Sequence, residues 1–126
     1  MPSPTETVEA FCAQWSKSGG FAESIRSHFT DATVYENVGL THTTGIAEAL
    51  AMVEQFEQGM GLATIDVDML AIVEQGGRVL TERVDHMVNA KGERFTSIRL
   101  MGIFEVQDGK IAGWRDYFDA SPFKAA

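Results

Sequence analysis

Apolar residues recur every three or four positions in the first part of the chain, and they alternate with polar residues later. The first spacing places apolar side chains on one side of an α-helix, and the second places them on one side of a β-strand. Ser3 and Pro4 are typical of a helix start, and Gly19 and Gly20 of its end. The pattern predicts helices over residues 4–17, around residues 21–29, and from residue 44 to residue 59 or 61.

Segments rich in β-forming residues follow the second and third predicted helices. Turn-forming pairs, Gly76-Gly77, Lys91-Gly92 and Asp108-Gly109, separate the later ones. Helices followed by a run of strands predict an α+β protein, with helices on one face of a curved antiparallel sheet. We expect residues 1–126 to form a single domain. The predicted strands are residues 32–38, 63–74, 79–89, 94–106 and 111–118.

Composition and charge narrow the range of partners. The chain carries 18 acidic and 10 basic residues, and a formal net charge of -8 argues against nucleic acid or an anionic membrane surface. No apolar run approaches the length of a membrane span, and no basic region precedes an apolar stretch near the N-terminus. We therefore expect a cytoplasmic protein. Cys12, the single cysteine, lies in an apolar helical spacing that predicts a buried residue.

The stretch LTERVDHMV, residues 80–88, places Arg83 and Asp85 two positions apart on a predicted strand. Side chains two positions apart on a strand share one face. A two-residue turn before the next strand sets Asp85 opposite Ile98 and Arg83 opposite Leu100, and the apolar pattern assigns these two partners to the enclosed face. Arg83 and Asp85 are therefore predicted to point inward.

Asp116 on the last strand is the third member of this predicted group. A two-residue loop before that strand would set Asp116 opposite Met101, whereas a three-residue loop with a glycine bulge sets it opposite Leu100. The apolar pattern favours the bulge. An extended arginine spans the roughly 9 to 10 Å across one intervening strand, so Arg83 is predicted to reach Asp116 over Leu100. Most arginine–aspartate pairs on strands are solvated, but an inward group of this kind often marks a functional site.

Other polar residues give weaker signals. Tyr35 and Asn37 share one face of the first predicted strand, where each can orient a water molecule. His86 is out of phase with Arg83 and is expected on the outer face. The other histidines, His28 and His42, lack the spacing of a metal-binding motif, and we expect no metal.

The stretches VYENVGL, LTERVDHMV and IAGWRDYFD strongly resemble the limonene epoxide hydrolase family, and the resemblance runs from about residue 32 to residue 123. It implies the cone-shaped α+β fold of nuclear-transport-factor-like (cystatin-like) proteins. In that fold a curved mixed, mainly antiparallel sheet carries the N-terminal helices on its concave face. The resemblance also implies a homodimer and catalysis without a cofactor.

The resemblance further implies a role for each candidate residue. Asp116 corresponds to the general base, Asp85 to the general acid, and Arg83 to the bridge between them. Tyr35 and Asn37 correspond to the pair that holds the attacking water together with Asp116. The apolar pocket wall is implied to contain Met87, Ile98, Leu100, Phe118 and Phe123.

The expected function is therefore cofactor-independent addition of water to a small hydrophobic epoxide, terpenoid or cyclic, to give a vicinal diol. A covalent aspartyl intermediate is disfavoured because the chain carries no nucleophile-elbow sequence. Two alternatives stay open. One is an isomerase or cyclase of the same fold acting on a steroid- or polyketide-like carbonyl compound, with Tyr35 as the evident oxyanion donor. The other is a module that only binds an apolar ligand.

Overall fold

The computed structural model describes residues 2–124. Short 3-10 turns, Gln14–Ser16 and Ser121–Phe123, accompany the regular elements. The predicted α+β fold is confirmed. The described residues form helices α1 (Pro4–Ala13), α2 (Gly20–His28) and α3 (Gly45–Met60), and strands β1 (Phe29–Asn37), β2 (Thr41–Thr44), β3 (Thr64–Gln75), β4 (Arg78–Val88), β5 (Arg94–Gln107) and β6 (Lys110–Tyr117).

The helix ends follow from local hydrogen bonding. The Ser3 hydroxyl accepts a bond from the backbone N–H of Glu6 at 3.1 Å, and the Glu6 carboxylate accepts one from the backbone N–H of Ser3 at 2.9 Å. This reciprocal cap begins α1. The predicted end near residue 17 is wrong for the α-helix, which stops at Ala13 because the chain tightens into a 3-10 turn. Gly61, with φ of +77°, ends α3.

The six strands form one mixed sheet in the order β2-β1-β6-β5-β4-β3. The β1 and β6 strands pair in parallel, and every other neighbouring pair is antiparallel. Helix α1 contacts β3, β4 and β5, and α3 contacts β1. The helices therefore cover one side of the sheet, which we call the inner face, and the other side is the outer face. No helix within residues 2–124 has the length and apolar character needed to span a membrane.

The strands differ from the prediction in two main respects, apart from shifts of one residue at other ends. Strand β1 begins at Phe29, which was expected in a helix, because the chain turns to an extended conformation directly after His28. Strand β2 was not predicted at all. Its sequence, THTT, lacks apolar alternation, and it lies at the edge of the sheet, where it pairs with β1 alone.

The register between β4 and β5 agrees with the prediction, since Arg83 lies opposite Leu100 and Asp85 opposite Ile98. The predicted two-residue turn is wrong in detail. The residues between the strands form a longer loop, and Phe95 is an additional residue on β5 that restores the predicted register.

The register between β5 and β6 differs from the prediction. Asp116 lies opposite Gly102 and not opposite Leu100. Asp108 and Gly109, with φ of 53° and 75°, form a two-residue turn, and Ala112 is the additional residue on β6. The error amounts to two residues, so Asp116 keeps its predicted phase and faces inward.

Candidate active site

A cavity of about 330 Å³ lies between the inner face of the sheet and the helices. Its walls are mainly apolar, and its polar side chains are Tyr35, Asn37, Thr41, Asp85 and Asp116. The structure places all of the predicted wall residues at this cavity: Met87, Ile98, Leu100, Phe118 and Phe123. The sequence did not predict the remaining residues as parts of the cavity lining: Trp15, Phe21, Leu40, Thr41, Phe56, Met60, Leu62, Ile65 and Trp114.

The structure brings Asp85, Arg83 and Asp116 together beside this cavity. The Arg83 side chain is 0% exposed, and its Nε and Nη2 atoms donate to Oδ1 and Oδ2 of Asp85 at 3.0 and 2.9 Å. The same Nη2 donates to Oδ2 of Asp116 at 2.9 Å. Because both carboxyl groups are bound to one nitrogen, a single guanidinium fixes their relative positions.

Two neighbouring side chains add hydrogen bonds to the group. Nη1 of Arg83 donates to Oγ1 of Thr81 at 2.9 Å, and Nε1 of Trp114 donates to Oδ1 of Asp116 at 2.7 Å. Neither partner was identified from the sequence. Thr81 is two residues from Arg83, and Trp114 is two residues from Asp116. Strand alternation therefore places both on the inner face, and no other feature of the sequence indicates these contacts.

Gly102 provides the path by which Arg83 reaches Asp116. Thr81, Gly102 and Asp116 form one row across β4, β5 and β6, and the arginine passes over the glycine and not over Leu100 as predicted. A Cβ atom at position 102 would overlap the Asp116 carboxylate and would lie 2.7 Å from Nη1 of Arg83. The absence of a side chain therefore leaves the space in which the ion pair forms.

Tyr35 and Asn37 lie on the adjacent strand β1 and also face the cavity. Nδ2 of Asn37 donates to the Tyr35 hydroxyl at 3.2 Å and to Oγ1 of Thr41 at 2.9 Å. The Tyr35 ring stacks on Trp114 with centroids 3.9 Å apart. Asn37 pairs with Asp116 across the parallel β1–β6 ladder, so the amide and the carboxyl group come from neighbouring strand positions.

Burial dominates the electrostatics of the site. It raises the pKa of Asp116, against the opposing effect of the Arg83 cation, and the nearby Asp85 raises that pKa further. Burial alone would lower the pKa of Arg83, but Asp116 and Asp85 outweigh it and hold the pKa well above its usual range. Burial also raises the pKa of Tyr35, so this residue stays a neutral phenol. One fixed cation therefore faces two carboxyl groups in a nearly dry site.

His86 and Cys12, whose positions the sequence also predicted, lie outside the cavity. His86 points to the outer face, as predicted, where its ring nitrogens lie 2.7 Å from the Ser97 hydroxyl and 2.8 Å from the Asp68 carboxylate. Cys12 is buried, as predicted, and burial raises the pKa of its thiol to about 12. Within the part of the chain that the structure describes, no three His, Cys, Asp or Glu side chains are grouped as metal ligands.

Comparison with known proteins shows which family the sequence resembles. The model of the limonene-1,2-epoxide hydrolase catalytic domain matches residues 2–125. The chain is 33% identical over 97 residues to epoxide hydrolase EphG of Mycobacterium tuberculosis, which covers 77% of this chain. The match spans 62% of the length of that relative.

Solved structures give the same picture at the level of the fold. An epoxide hydrolase of M. tuberculosis, described as like limonene epoxide hydrolases, superimposes with a TM-score of 0.76 and 30% identity over 94% of this chain and 79% of its own. A putative SnoaL-like polyketide cyclase from Shewanella putrefaciens superimposes with a TM-score of 0.78 but only 11% identity, over 98% of this chain and 94% of its own. The second likeness concerns the fold alone.

Proposed function

The chain belongs to the limonene-1,2-epoxide hydrolase family, and we propose that it adds water to an apolar epoxide in one step to give a vicinal diol. The observation that carries the proposal is the buried arginine that joins two carboxyl groups at an apolar cavity. An epoxide opens slowly in neutral water because water is a weak nucleophile and an alkoxide is a poor leaving group. A base and an acid acting together assist both ends of the reaction.

The charge balance of the group supports one proton shared between the two acids. Arg83 supplies one positive charge, and Asp85 and Asp116 would supply two negative charges if both were ionised. Two carboxylates bound to the same nitrogen in a dry site disfavour double ionisation, so the resting group holds one proton. It then contains one base and one acid, as the reaction requires.

Asp116 is the proposed base because it lies beside the two residues that are suited to hold water. Tyr35 and Asn37 come from the adjacent strand, and both of them line the cavity together with Asp116. Each Asp116 oxygen accepts one N–H bond and keeps a further lone pair for a proton of the bound water. Its raised pKa makes the ionised form a stronger base.

Asp85 is the proposed acid. Both of its oxygens are held by Arg83, which fixes the orientation of the carboxyl group at the cavity wall. In the proposed step Asp116 takes a proton from water, the water oxygen attacks one ring carbon, and the C–O bond to the ring oxygen breaks. Asp85 gives its proton to that oxygen. Acid and base assistance contribute about 10²- to 10⁴-fold each.

The cavity supports an apolar substrate whose polar part is the epoxide oxygen. Its polar lining residues are the two acids and the hydrogen-bonded set Tyr35, Asn37 and Thr41, and the remaining walls are aliphatic or aromatic. Among residues 2–124, these two acids are the only side chains of a charged type that line the cavity, which disfavours substrates with carboxylate or phosphate groups. A terpenoid or cyclic epoxide fits this description.

Replacing Asp116 by Asn tests the function directly. We expect diol formation from a panel of cyclic and terpenoid epoxides to be abolished, while calorimetric binding of the diol product stays within about threefold, since Asn keeps the shape of the side chain. Asp119→Asn is the matched control, because Asp119 does not line the cavity and, within residues 2–124, its side chain bonds to Ser121. Full turnover by the Asp116 variant would contradict the proposal.

A single turnover in ¹⁸O-labelled water tests the one-step route. Direct attack places the label in the diol during the first turnover. Label found in the protein would indicate attack by a carboxylate and an ester intermediate instead.

We also propose that two copies of the chain pair through the outer face of the sheet. Exposed apolar side chains lie next to one another there, because Val73 is opposite Leu80 and Met101 is opposite Tyr117. Such a surface is a typical protein contact. Sedimentation of the wild type should give a dimer, and Met101→Lys should shift it toward the monomer. A wild-type monomer at micromolar concentration would contradict the proposal.

A further inference from the structure

We infer that Thr41 is a positioning residue for the reaction proposed above. Its hydroxyl holds the side-chain amide of Asn37 in the orientation that presents an acceptor oxygen to the attacking water. The inference rests on the proposed function and extends it to a strand that does not carry the two acids.

The backbone brings Thr41 next to Asn37. Residues 37–40 form a turn in which the backbone N–H of Leu40 donates to the carbonyl of Asn37 at 2.8 Å, and Gly39 adopts a φ of +85°. The chain then returns as β2, with Thr41 opposite Asn37 in the antiparallel ladder. Thr41 is partly buried and lines the same cavity as the acids.

The hydrogen bonds of the Asn37 amide define its orientation. Its Nδ2 donates to the Thr41 hydroxyl at 2.9 Å and to the Tyr35 hydroxyl at 3.2 Å, so both amide protons are used. Oδ1 makes no hydrogen bond with any of residues 2–124 and is left to accept a proton. The Tyr35 hydroxyl accepts from the amide and therefore keeps its own proton for donation.

This arrangement matches the needs of a nucleophilic water. Asp116 and Oδ1 of Asn37 each accept one of its protons, and the Tyr35 hydroxyl donates to one of its lone pairs. The second lone pair is then directed away from all three groups and is free to attack. An amide turned the other way would donate an N–H to the water and compete for that lone pair.

Without the Thr41 hydroxyl, one N–H of Asn37 has no partner on its own side. The amide can regain a hydrogen bond by rotating so that this N–H donates to the water. That bond occupies the lone pair that would attack the epoxide. Loss of the hydroxyl should thus slow the chemical step and leave substrate binding almost unchanged, because neither acid contacts Thr41.

Thr41→Val removes the hydroxyl and keeps the side-chain volume. We expect kcat to fall by about 10- to 100-fold with KM within about twofold, and Thr41→Ser to restore kcat to within about threefold of the wild type. The pH dependence of kcat should not move, since the Asp-Arg-Asp group is intact. Thr44→Val is the matched control on the same strand, because Thr44 is exposed and its hydroxyl makes no capping bond to α3.

The side-chain NH₂ signals of Asn37 in ¹⁵N-labelled protein give a second readout that does not need turnover. We expect dispersed proton shifts in the wild type and in Thr41→Ser, and shifts that move toward those of a free asparagine side chain in Thr41→Val, because one N–H has lost its acceptor.

Thr41→Val with wild-type kcat, or with a raised KM and unchanged kcat, would overturn the inference, as would unchanged NH₂ signals. A wild type that forms no diol from any epoxide would instead overturn the proposed function. The two failures are therefore distinguishable by the wild-type assay alone.

Discussion

Arg83 and Arg94 each pair with an aspartate on the sheet, one pair beneath the helices and the other in water. Arg83 is 0% exposed at its side chain and lies 2.9 Å from Asp85, with a second partner in Asp116. Arg94 is 53% exposed and lies 3.3 Å from Asp66, which is itself 40% exposed. The residue types are the same, but the two pairs differ in burial and in the number of aspartates that the arginine contacts.

The difference teaches what an ion pair does in each setting. In water the attraction is screened and is offset by the entropy lost when two long side chains are held together. In a dry interior the charges lose their hydration, and they persist only if every donor and acceptor is satisfied. The buried group is therefore weak evidence for added stability. In the proposed mechanism, its value lies in holding two acids at fixed positions with one proton between them.

The largest expected effect comes from removing the buried cation. Arg83→Met should lower the free energy of unfolding by about 3–5 kcal/mol at neutral pH, because Asp85 and Asp116 then stay buried without a counter-charge. Diol formation should fall below detection. Urea unfolding followed by tryptophan fluorescence measures the first effect, with the indoles of Trp15 and Trp114 close to the site.

A triple variant provides the control for this change. Adding Asp85→Asn and Asp116→Asn to Arg83→Met removes the unbalanced charges and should recover part of the lost stability without recovering activity. If the single variant were as stable as the wild type, Arg83 would not be balancing a buried negative charge, and the contrast with Arg94 would disappear.

The next effect in size is a dependence of stability on pH. Burial raises the pKa of Asp116 in the folded protein, although Arg83 opposes this effect. At pH values between the unfolded-state and folded-state pKa, the folded protein therefore binds more protons at Asp116 than the unfolded chain does. Stability linked to this group is present below the unfolded pKa and is lost as pH rises through the folded pKa. Asp116→Asn lacks this titration. Its free energy of unfolding relative to the wild type should therefore increase from about pH 4, the ordinary pKa of an aspartate, towards neutral pH.

Parallel urea titrations of the two proteins across that range measure the difference, and Asp119→Asn serves as the control. A difference that decreased with pH would mean that Arg83 lowers the pKa of Asp116 by more than burial raises it. The buried pair would then behave like an ordinary stabilising ion pair.

The sequence predicted the buried Arg83 group to the extent that strand alternation determines it. Alternation and a short turn placed Arg83 and Asp85 on the enclosed face, and their partners on β5 are the predicted ones. Asp116 was assigned to the right face but to the wrong row. A bulge at Ala112 moves the pairing by backbone geometry that no side-chain pattern records.

The residues that surround the Asp-Arg-Asp group could not be identified from the sequence for a different reason. Gly102 matters through the volume it leaves empty, and Thr81 through a hydroxyl whose partner lies on its own strand. Strand β2, with Thr41, has a polar sequence without alternation, so neither its conformation nor its contact with Asn37 could be anticipated. Short polar edge strands form because a neighbouring strand offers free backbone groups, and that is a property of the assembled sheet.

The smallest effect is expected for the exposed pair. Arg94→Gln should lower the free energy of unfolding by about 0.2–1 kcal/mol and should leave diol formation unchanged, because water screens the charge that remains on Asp66. The small loss should vanish in about 1 M salt, where charges more than about 3 Å apart are screened from one another, whereas the loss for Arg83→Met should persist because salt does not enter the buried site. Urea unfolding of both variants at low and high salt makes the comparison. A loss of several kcal/mol at Arg94, or a salt-sensitive loss at Arg83, would mean that burial is not what separates the two pairs.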